Sequence, residues 1–350
     1  MKEKFLQMLQ TLLEKTIHVY IPFIKRAAQN FLTFFKTLFK KGTETAPVLK
    51  NKITAFGLKW WRFYAGLLLT FFLLYYPAGF FISHHIDVDP DFAIKENRPV
   101  QTVGVLADIL TRETSVHAFT PNKPFFYPSA FLDDMPSFQT GVISGIRSIT
   151  EILSMVNAQS ETLTQAAERL AYPPSIWHIQ HWKPSVSSDK KYKKAASLLS
   201  DYLKNVAGEQ ESFNQSKEAL RSIVEQIIAG LENCIKTLSR QVHTASEKMS
   251  DLDADNVFHE TKGEAYVYYL TLRELRRDFG TAFKDSLLEK ECVKAMLLIR
   301  RAVQILPTAV INGLPESQFA PNHLLNSGFY LSRAVSELKD MINEIQEAYE

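Results

Sequence analysis

Two polar segments hold the residues best suited to chemistry. The first, Pro128-Ser-Ala-Phe-Leu-Asp-Asp-Met-Pro-Ser-Phe-Gln-Thr-Gly141, sets Asp133 beside Asp134. The second, Asp253-Ala-Asp-Asn-Val-Phe-His-Glu-Thr-Lys-Gly263, carries Asn256, His259 and Glu260. An aspartate, a histidine and a glutamate converging between helices could hold and move a proton. The same residues have a plainer use. Asp133 and Asp134, ahead of Met135-Pro136, can close a turn that feeds a helix starting near Phe138. Asp253, Asp255 and Asn256 can cap a helix beginning near Val257, with acids at its positive end. Glu260 and Lys262 can pair across a bundle. The structural use is the favoured reading, and no catalytic residue is assigned.

Other candidates are thinner. His84, His85, Asp87, Asp89 and Asp91 are metal-ligand types, but no helix or turn fixes them in a coordination shell. A solvated stalk is expected there, with no metal. His178 and His181 lie three apart in Trp177-His-Ile-Gln-His-Trp182. That step could put two imidazoles on one helical face, but Pro173-Pro174 and Pro184 flank the segment, so a loop packed on the bundle is expected. Cys234 and Cys292 fall on apolar stripes, where cysteine acts as a small hydrophobe. A disulfide between them stays open, since an oxidising compartment permits one. The chain has no Gly-x-Gly-x-x-Gly, no Gly-x-x-x-x-Gly-Lys-Ser/Thr, no His-Glu-x-x-His and no Gly-x-Ser-x-Gly. Thirteen glycines in 350 residues leave little material for phosphate-cradling loops. A nucleotide enzyme is disfavoured and no cofactor is expected.

Helices must position these groups. Hydrophobic residues make up 46% and charged residues 22%, which excludes a disordered or collagen-like chain. Val100 to Ile109 reads as a short helix. Residues 139–170, 188–206, 281–305 and about 322–349 show helical spacing of apolar residues, and 262–279 are rich in Tyr and Leu. The longest stripe, over 211–249, is Leu220, Val224, Ile227, Leu231, Cys234, Leu238, Val242 and Ala245. Its steps of three and four suit the seam of an antiparallel bundle. Irregular connections are expected at 114–138, 171–187 and 306–321.

From Phe63 to Ile82 the chain carries no Asp, Glu, Lys or Arg. A bilayer core of about 30 Å needs about 20 apolar residues in a helix. Trp60, Trp61 and Arg62 precede the run, and Tyr75 and Tyr76 lie near its far end, the types that favour the membrane interface. Residues 1–62 carry twelve Lys and Arg against three Glu, a net of +9. Positive flanks stay in the cytoplasm. Residues 63–82 are therefore expected to be a permanent transmembrane anchor in a bacterial inner membrane. The N-terminus would be cytoplasmic and residues 84–350 periplasmic. The fold class is all-α: one transmembrane helix plus an exported antiparallel bundle of five to seven helices. The boundaries are an amphipathic basic arm (1–41), a linker (42–62), the span (63–82), a juxtamembrane linker (83–99) and the bundle (100–350).

The two motif segments resemble a proteobacterial family known as domain of unknown function 2333. A third cue is Pro321-Asn322-His323-Leu324 with Tyr330-Leu-Ser-Arg-Ala334. The family pattern Leu-Asp-Asn-Met-Pro is similar to the stretch from Leu132, with Asp134 in place of Asn. Its second pattern, Asp-Asp-Val-Phe-Tyr-Glu-Ala-Arg-Gly, is matched with Asn256, His259, Thr261 and Lys262 as departures. The resemblance covers roughly residues 100–340 and implies a single-pass inner-membrane protein with an exported helical domain. It implies no activity.

The leading functional expectation is a non-enzymatic scaffold or adaptor of the cell envelope. Its partners would be the lipid bilayer and another envelope protein, with no nucleic acid. The rival is an envelope hydrolase or a ligand- or lipid-binding protein with its site between the 128–138 and 253–263 loops. In the arm, Phe5, Met8, Leu9, Leu12, Val19, Phe23, Ala27, Phe31, Phe34 and Leu38 make one helical face flanked by basic residues. Such a face suits a helix lying in the interface. A peptide of residues 4–41 should gain helicity on anionic vesicles and lose binding at high salt. Circular dichroism without change at low salt would assign the arm to a protein surface instead.

Overall fold

The computed structural model describes residues 60, 63–75, 86–95, 97–124, 127, 134–180, 183–245, 253–284, 287–307, 309–314 and 320–347. The chain divides into two units, Met1–Phe72 and Leu73–Glu350. Residues 63–75 are helical, and their large apolar side chains are exposed, Leu69 by 61% and Leu73 by 64%. Trp60 stacks edge-on against Phe63 at 5.9 Å. The arm 4–41, Trp61, Arg62 and Tyr76 lie outside the described residues, as do residues 76–82 of the expected span. Among the described residues no helix is long and apolar enough to cross a membrane.

The second unit is an all-α bundle. Its helices are α1 (Gln101–Thr111, continued by a π-helical turn over Arg112–Val116), α2 (Asp134–Val156), α3 (Glu161–Leu170), α4 (Ser188–Ala207) and α5 (Lys217–Ala245). They are followed by α6 (Ala254–Asp278), the short α7 (Gly280–Phe283), α8 (Leu287–Val303) and α9 (His323–Glu347). Among the described residues eight of these have ten residues or more, one beyond the upper expectation. The extra helix comes from a break in the 139–170 run. Asn157 Nδ2 donates to Leu153 O at 2.9 Å while Asn157 Oδ1 accepts from Asn214 N at 2.8 Å. Ser160 then caps α3 by accepting from Leu163 N at 3.1 Å. An Asn and a Ser offering side-chain partners to the backbone end one helix and start the next.

The middle of the bundle is α6, which packs on α2, α8, α5 and α1. Every residue from Thr261 to Leu272 is buried. A helix enclosed on all sides shows no single apolar stripe. Its contacts fix the directions of its neighbours. Gly230 lies under the Tyr268 hydroxyl and Cys234 bonds with Glu264, so α5 and α6 are antiparallel. Arg276 meets Glu289 and Lys262 meets Ile305 O, so α6 and α8 are antiparallel. The α2–α6 pair departs from the antiparallel expectation. Ser137 meets Asn256, and Gly145 meets Glu264 and Val267, so this pair runs parallel. A parallel pair needs a long return connection, and α3, α4 and α5 supply it.

That pair is also unusually close. A Cβ added to Gly141 would lie 1.8 Å from Glu260 O, and one added to Gly263 would lie 2.2 Å from Phe138 O. Only glycine lets two backbones approach this far. Gly141 and Gly263 are the last residues of the two motif segments.

Two readings gain detail and a third is corrected. The Trp177–Trp182 region forms a small hairpin, β1 (Ile179–Gln180) with β2 (Lys183–Pro184), pairing Ile179 with Pro184 and Gln180 with Lys183. Its histidines therefore share no helical face. His178 is exposed and His181 lies outside the described residues. Cys234 and Cys292 are both free and buried, so the disulfide left open is absent. Cys234 sits beside Glu264 on α6 and Cys292 beside Arg276. Burial pushes the Cys292 thiol up to about 12. Third, residues 83–99, expected to be a solvated stalk, are not one over the described part. Ile86, Val88 and Phe92 pack against the core.

Gly141→Ala and Gly263→Ala should each destabilise the full-length protein in detergent by about 1–3 kcal/mol or more, because the obstructing atom is backbone and cannot swing away. Thermal melts check this. Gly280→Ala is the control, since nothing lies within 4 Å of its added Cβ. Equal melting of all three would show that the helices part at no cost.

Candidate functional site

The α2–α6 crossing gathers most of the motif residues. Residue Asp134 opens α2 and Pro136 falls in its first turn, where a missing N–H costs no helical bond. Asp133 and residues 128–132 lie outside the described residues. Helix α6 begins three residues before the expected Val257. Its cap position is Asp253, whose side chain makes no capping bond, while Asp255 Oδ1 accepts from Asn256 N at 2.9 Å.

Across the crossing, Ser137 Oγ donates to Asn256 Oδ1 at 2.9 Å. His259 Nε2 stands 3.6 Å from Asp134 Oδ1, with the imidazole buried and Asp134 half-buried. Lys262 is buried one turn on from His259. Its ammonium donates to Ile305 O at 2.6 Å and lies 5.4 Å from the Phe258 ring centroid. Burial lowers its pKa to about 8, against the opposing pull of Asp134. Glu260 faces elsewhere. It is an exposed residue whose charge acts on Glu264 and Cys234, and the surrounding protein raises its carboxyl pKa. Of the rival trio, His259 and Glu260 are described and Asp133 lies outside the described residues. The pair that forms is Asp134 with His259.

Two buried polar networks escaped sequence reasoning. In the first, Glu264 accepts from Tyr268 Oη at 2.7 Å and bonds with Cys234 and Ser144. Burial raises both the Glu264 carboxyl and the Tyr268 phenol. The second sits on the π-helical turn after α1. Arg112 Nε donates to Glu113 Oε1 at 2.8 Å, and its guanidinium lies 4.3 Å from the Phe92 ring centroid. Gln139 Nε2 donates to Glu113 Oε2 at 3.1 Å and to Ala118 O at 3.1 Å, and Gln139 Oε1 accepts from Thr120 N at 2.8 Å. Arg112 Nη2 also donates to Asp87 O at 3.1 Å, and Tyr266 Oη to Asp89 O at 2.7 Å. The network thus clasps the segment that follows the apolar run. The available signal was Arg112-Glu113 at the end of an otherwise apolar helix.

Among the described residues no group of three or more His, Cys, Asp and Glu is arranged to hold a metal. Asp87 and Asp89 accept instead from Asp89 N at 3.0 Å and Asp91 N at 2.9 Å. His84 and His85 lie outside the described residues. The third sequence cue proves structural. Asn322 Oδ1 caps α9 through Leu325 N at 2.8 Å, and Asn322 bridges Asn312.

Fold and site together define a helical-bundle protein whose two motif segments lock one parallel helix pair. Residues 118–250 match the model of a family described as an uncharacterized protein conserved in bacteria, domain of unknown function 2333. This is the family that the motif segments resemble. The matched stretch takes in the first motif and stops short of the second. No curated protein and no solved structure matches the chain.

The lowered Lys262 pKa carries a sign. Between about 8 and the ordinary 10.5, the unfolded chain holds a proton that the folded chain has released. Stability contributed by this site therefore rises with pH across that window. Lys262→Met removes this contribution. The stability of the parent minus that of Lys262→Met should climb by about 1 kcal/mol per pH unit within the window. Denaturant titrations at pH 7, 8, 9 and 10 measure it, and a flat difference would place the ammonium in water.

Proposed function

We propose that this chain is a membrane-anchored helical scaffold or adaptor of the bacterial cell envelope. Residues 63–82 would span the inner membrane, with 1–62 in the cytoplasm and 84–350 in the periplasm. The observation that carries the reading is the helix at 63–75. Tyr64, Leu67, Leu68, Leu69, Phe71, Phe72, Leu73 and Leu74 all stand exposed on it. Each apolar square ångström left in water costs about 25 cal/mol, so such a helix needs lipid or protein around it. Its sequence continues without charge to Ile82, beside the +9 flank. Lipid satisfies both features together.

The adaptor half of the reading draws on how the motif residues are used. Ser137, Asn256 and Lys262 are engaged in contacts between elements. That suits a domain whose surface, and not a catalytic cleft, meets another envelope protein. The second reading, a hydrolase or ligand-binding protein, draws on the buried His259 beside Asp134.

One experiment tests the topology and a second separates the two readings. A reporter active only in the periplasm, fused after Glu350, should be active, and a cytoplasmic reporter at the same place should be silent. The opposite result would overturn the topology. His259→Gln and Asp134→Asn should complement a deletion strain in proportion to their folded protein levels. Normal melting with lost complementation would favour the second reading.

A further inference from the structure

The last turns of α6 carry Arg273, Arg276 and Arg277, which share one helical face at i, i+3 and i+4. Together with Lys284, just beyond α7, they line a cavity of about 530 Å³. Glu289 lies on its wall and Glu274 behind it. Glu274 is buried and ties two of the arginines, through Arg273 Nε at 2.7 Å and Arg277 Nη1 at 3.1 Å. The outer nitrogens of Arg273 donate to Pro90 O at 2.6 Å and Phe92 O at 2.8 Å, and Arg277 Nη2 to Lys95 O at 3.1 Å. Arg276 grips Glu289 through two nitrogens. Among the described residues no carboxylate pairs with Lys284. Four cations thus face two carboxylates, leaving a net charge of +2 around the cavity.

The guanidinium groups are pinned, yet Arg276 and Arg277 keep 31% and 32% of their side chains exposed. Side chains already ordered lose little entropy on binding. A guanidinium fork matches the oxygens of a phosphate. The cavity is larger than a phosphate group alone, and Phe283 and Ile94 give it apolar walls. We propose that this pocket binds a phosphate ester. Arg276, Arg277 and Lys284 would face the phosphate, Arg273 and Glu274 would back it, and Phe283 and Ile94 would meet its carbon portion.

A phospholipid headgroup and a soluble phosphate ester share this chemistry. The headgroup source rests on the membrane-anchored reading above. Only residues 83–85 lie between the proposed span and Ile86, which packs on the core. The soluble source does not need that reading.

The test uses the full chain in nanodiscs or in dodecyl maltoside and reads hydrogen exchange in residues 273–284, which separates the pocket from lipid binding by the basic arm. Phosphatidylglycerol discs should protect these amides relative to the protein in dodecyl maltoside, which carries no phosphate, and Lys284→Glu and Arg277→Gln should lose that protection. The exposed Lys284 leaves packing untouched, so its variant keeps the test meaningful if Arg277→Gln misfolds. Glycerol 3-phosphate added to the protein in dodecyl maltoside is the second arm. Protection there, lost in the same variants, would assign the soluble source and would hold even if the topology fusion failed. No protection in either arm, or protection retained in Lys284→Glu, overturns the site.

Discussion

The bundle depends on one contact between backbones. At the α2–α6 crossing, Gly141 receives the carbonyl of Glu260 and Gly263 receives that of Phe138. A sliding motion by even one residue would bring a Cβ onto a carbonyl oxygen. The crossing therefore sets register as well as distance. With that register, Ser137 falls opposite Asn256 and Asp134 opposite His259. Helix α6 is drawn into the middle, where α5, α8 and α1 close around its other faces. The polar motif residues are then interhelical locks placed by two glycines.

Charge organises the other end of the same helix. Asp278 accepts from Gln101 N at 2.6 Å and Thr102 N at 2.7 Å, so the start of α1 is capped from the end of α6. Val100, in the local cap position, offers no side-chain acceptor. At the far end of α1, Glu113 is buried against Arg112. Burial alone would raise its carboxyl pKa, but the His117 hydrogen bond and the Arg112 charge outweigh it and hold the value below the ordinary range. The stabilisation it brings is thus present above the unfolded value and lost as pH falls through the folded one. A buried ion pair adds little net stability compared with an apolar pair, but removing one partner strands a charge at high cost. Its effect here is specificity, since it admits one placement of the chain at Asp87.

Much of the helix content was legible, because amphipathic helices write their buried face at steps of three and four. The α5 stripe from Leu220 to Val242 is such a case, and it is buried as expected. The helix in the middle was the hardest to read. Enclosure on every side erases periodicity, so 262–279 showed only as a run rich in Tyr and Leu, and the start of the helix was legible only from its polar cap residues, near Val257 against Ala254 in the structure. The motif segments were visible as unusual composition. Their terminal glycines gave no sign of each other, because nothing local in a sequence reports which two backbones will touch. Direction was hidden for the same reason. Stripes say that helices pack, and the parallel course of α2 and α6 emerges only from pairs such as Gly145 with Val267. Asn157 and Ser160 broke a helix that periodicity alone carried through, and that cap signature was available in the sequence.

The segment from Ile86 to Lys95 is fastened to the same central helix. Three independent devices hold it: the Arg112 clasp on Asp87, the Tyr266 hydroxyl on Asp89, and Arg273 and Arg277 on the carbonyls of Pro90, Phe92 and Lys95. Two of the three come from α6. A tether meant only to give reach would be polar and unattached, since every fixed residue costs about 1–2 kcal/mol of backbone entropy. Here arginines held in place by carboxylates supply hydrogen bonds to main-chain carbonyls, which fix position without dictating side chains. The segment that follows the apolar run is thereby joined to the same helix that the two glycines place at the centre. A displacement of residues 86–95 would have to break contacts with α6 or carry α6 with it, and α6 cannot move against α2 without a backbone clash. The docked segment and the glycine crossing therefore act as one rigid element.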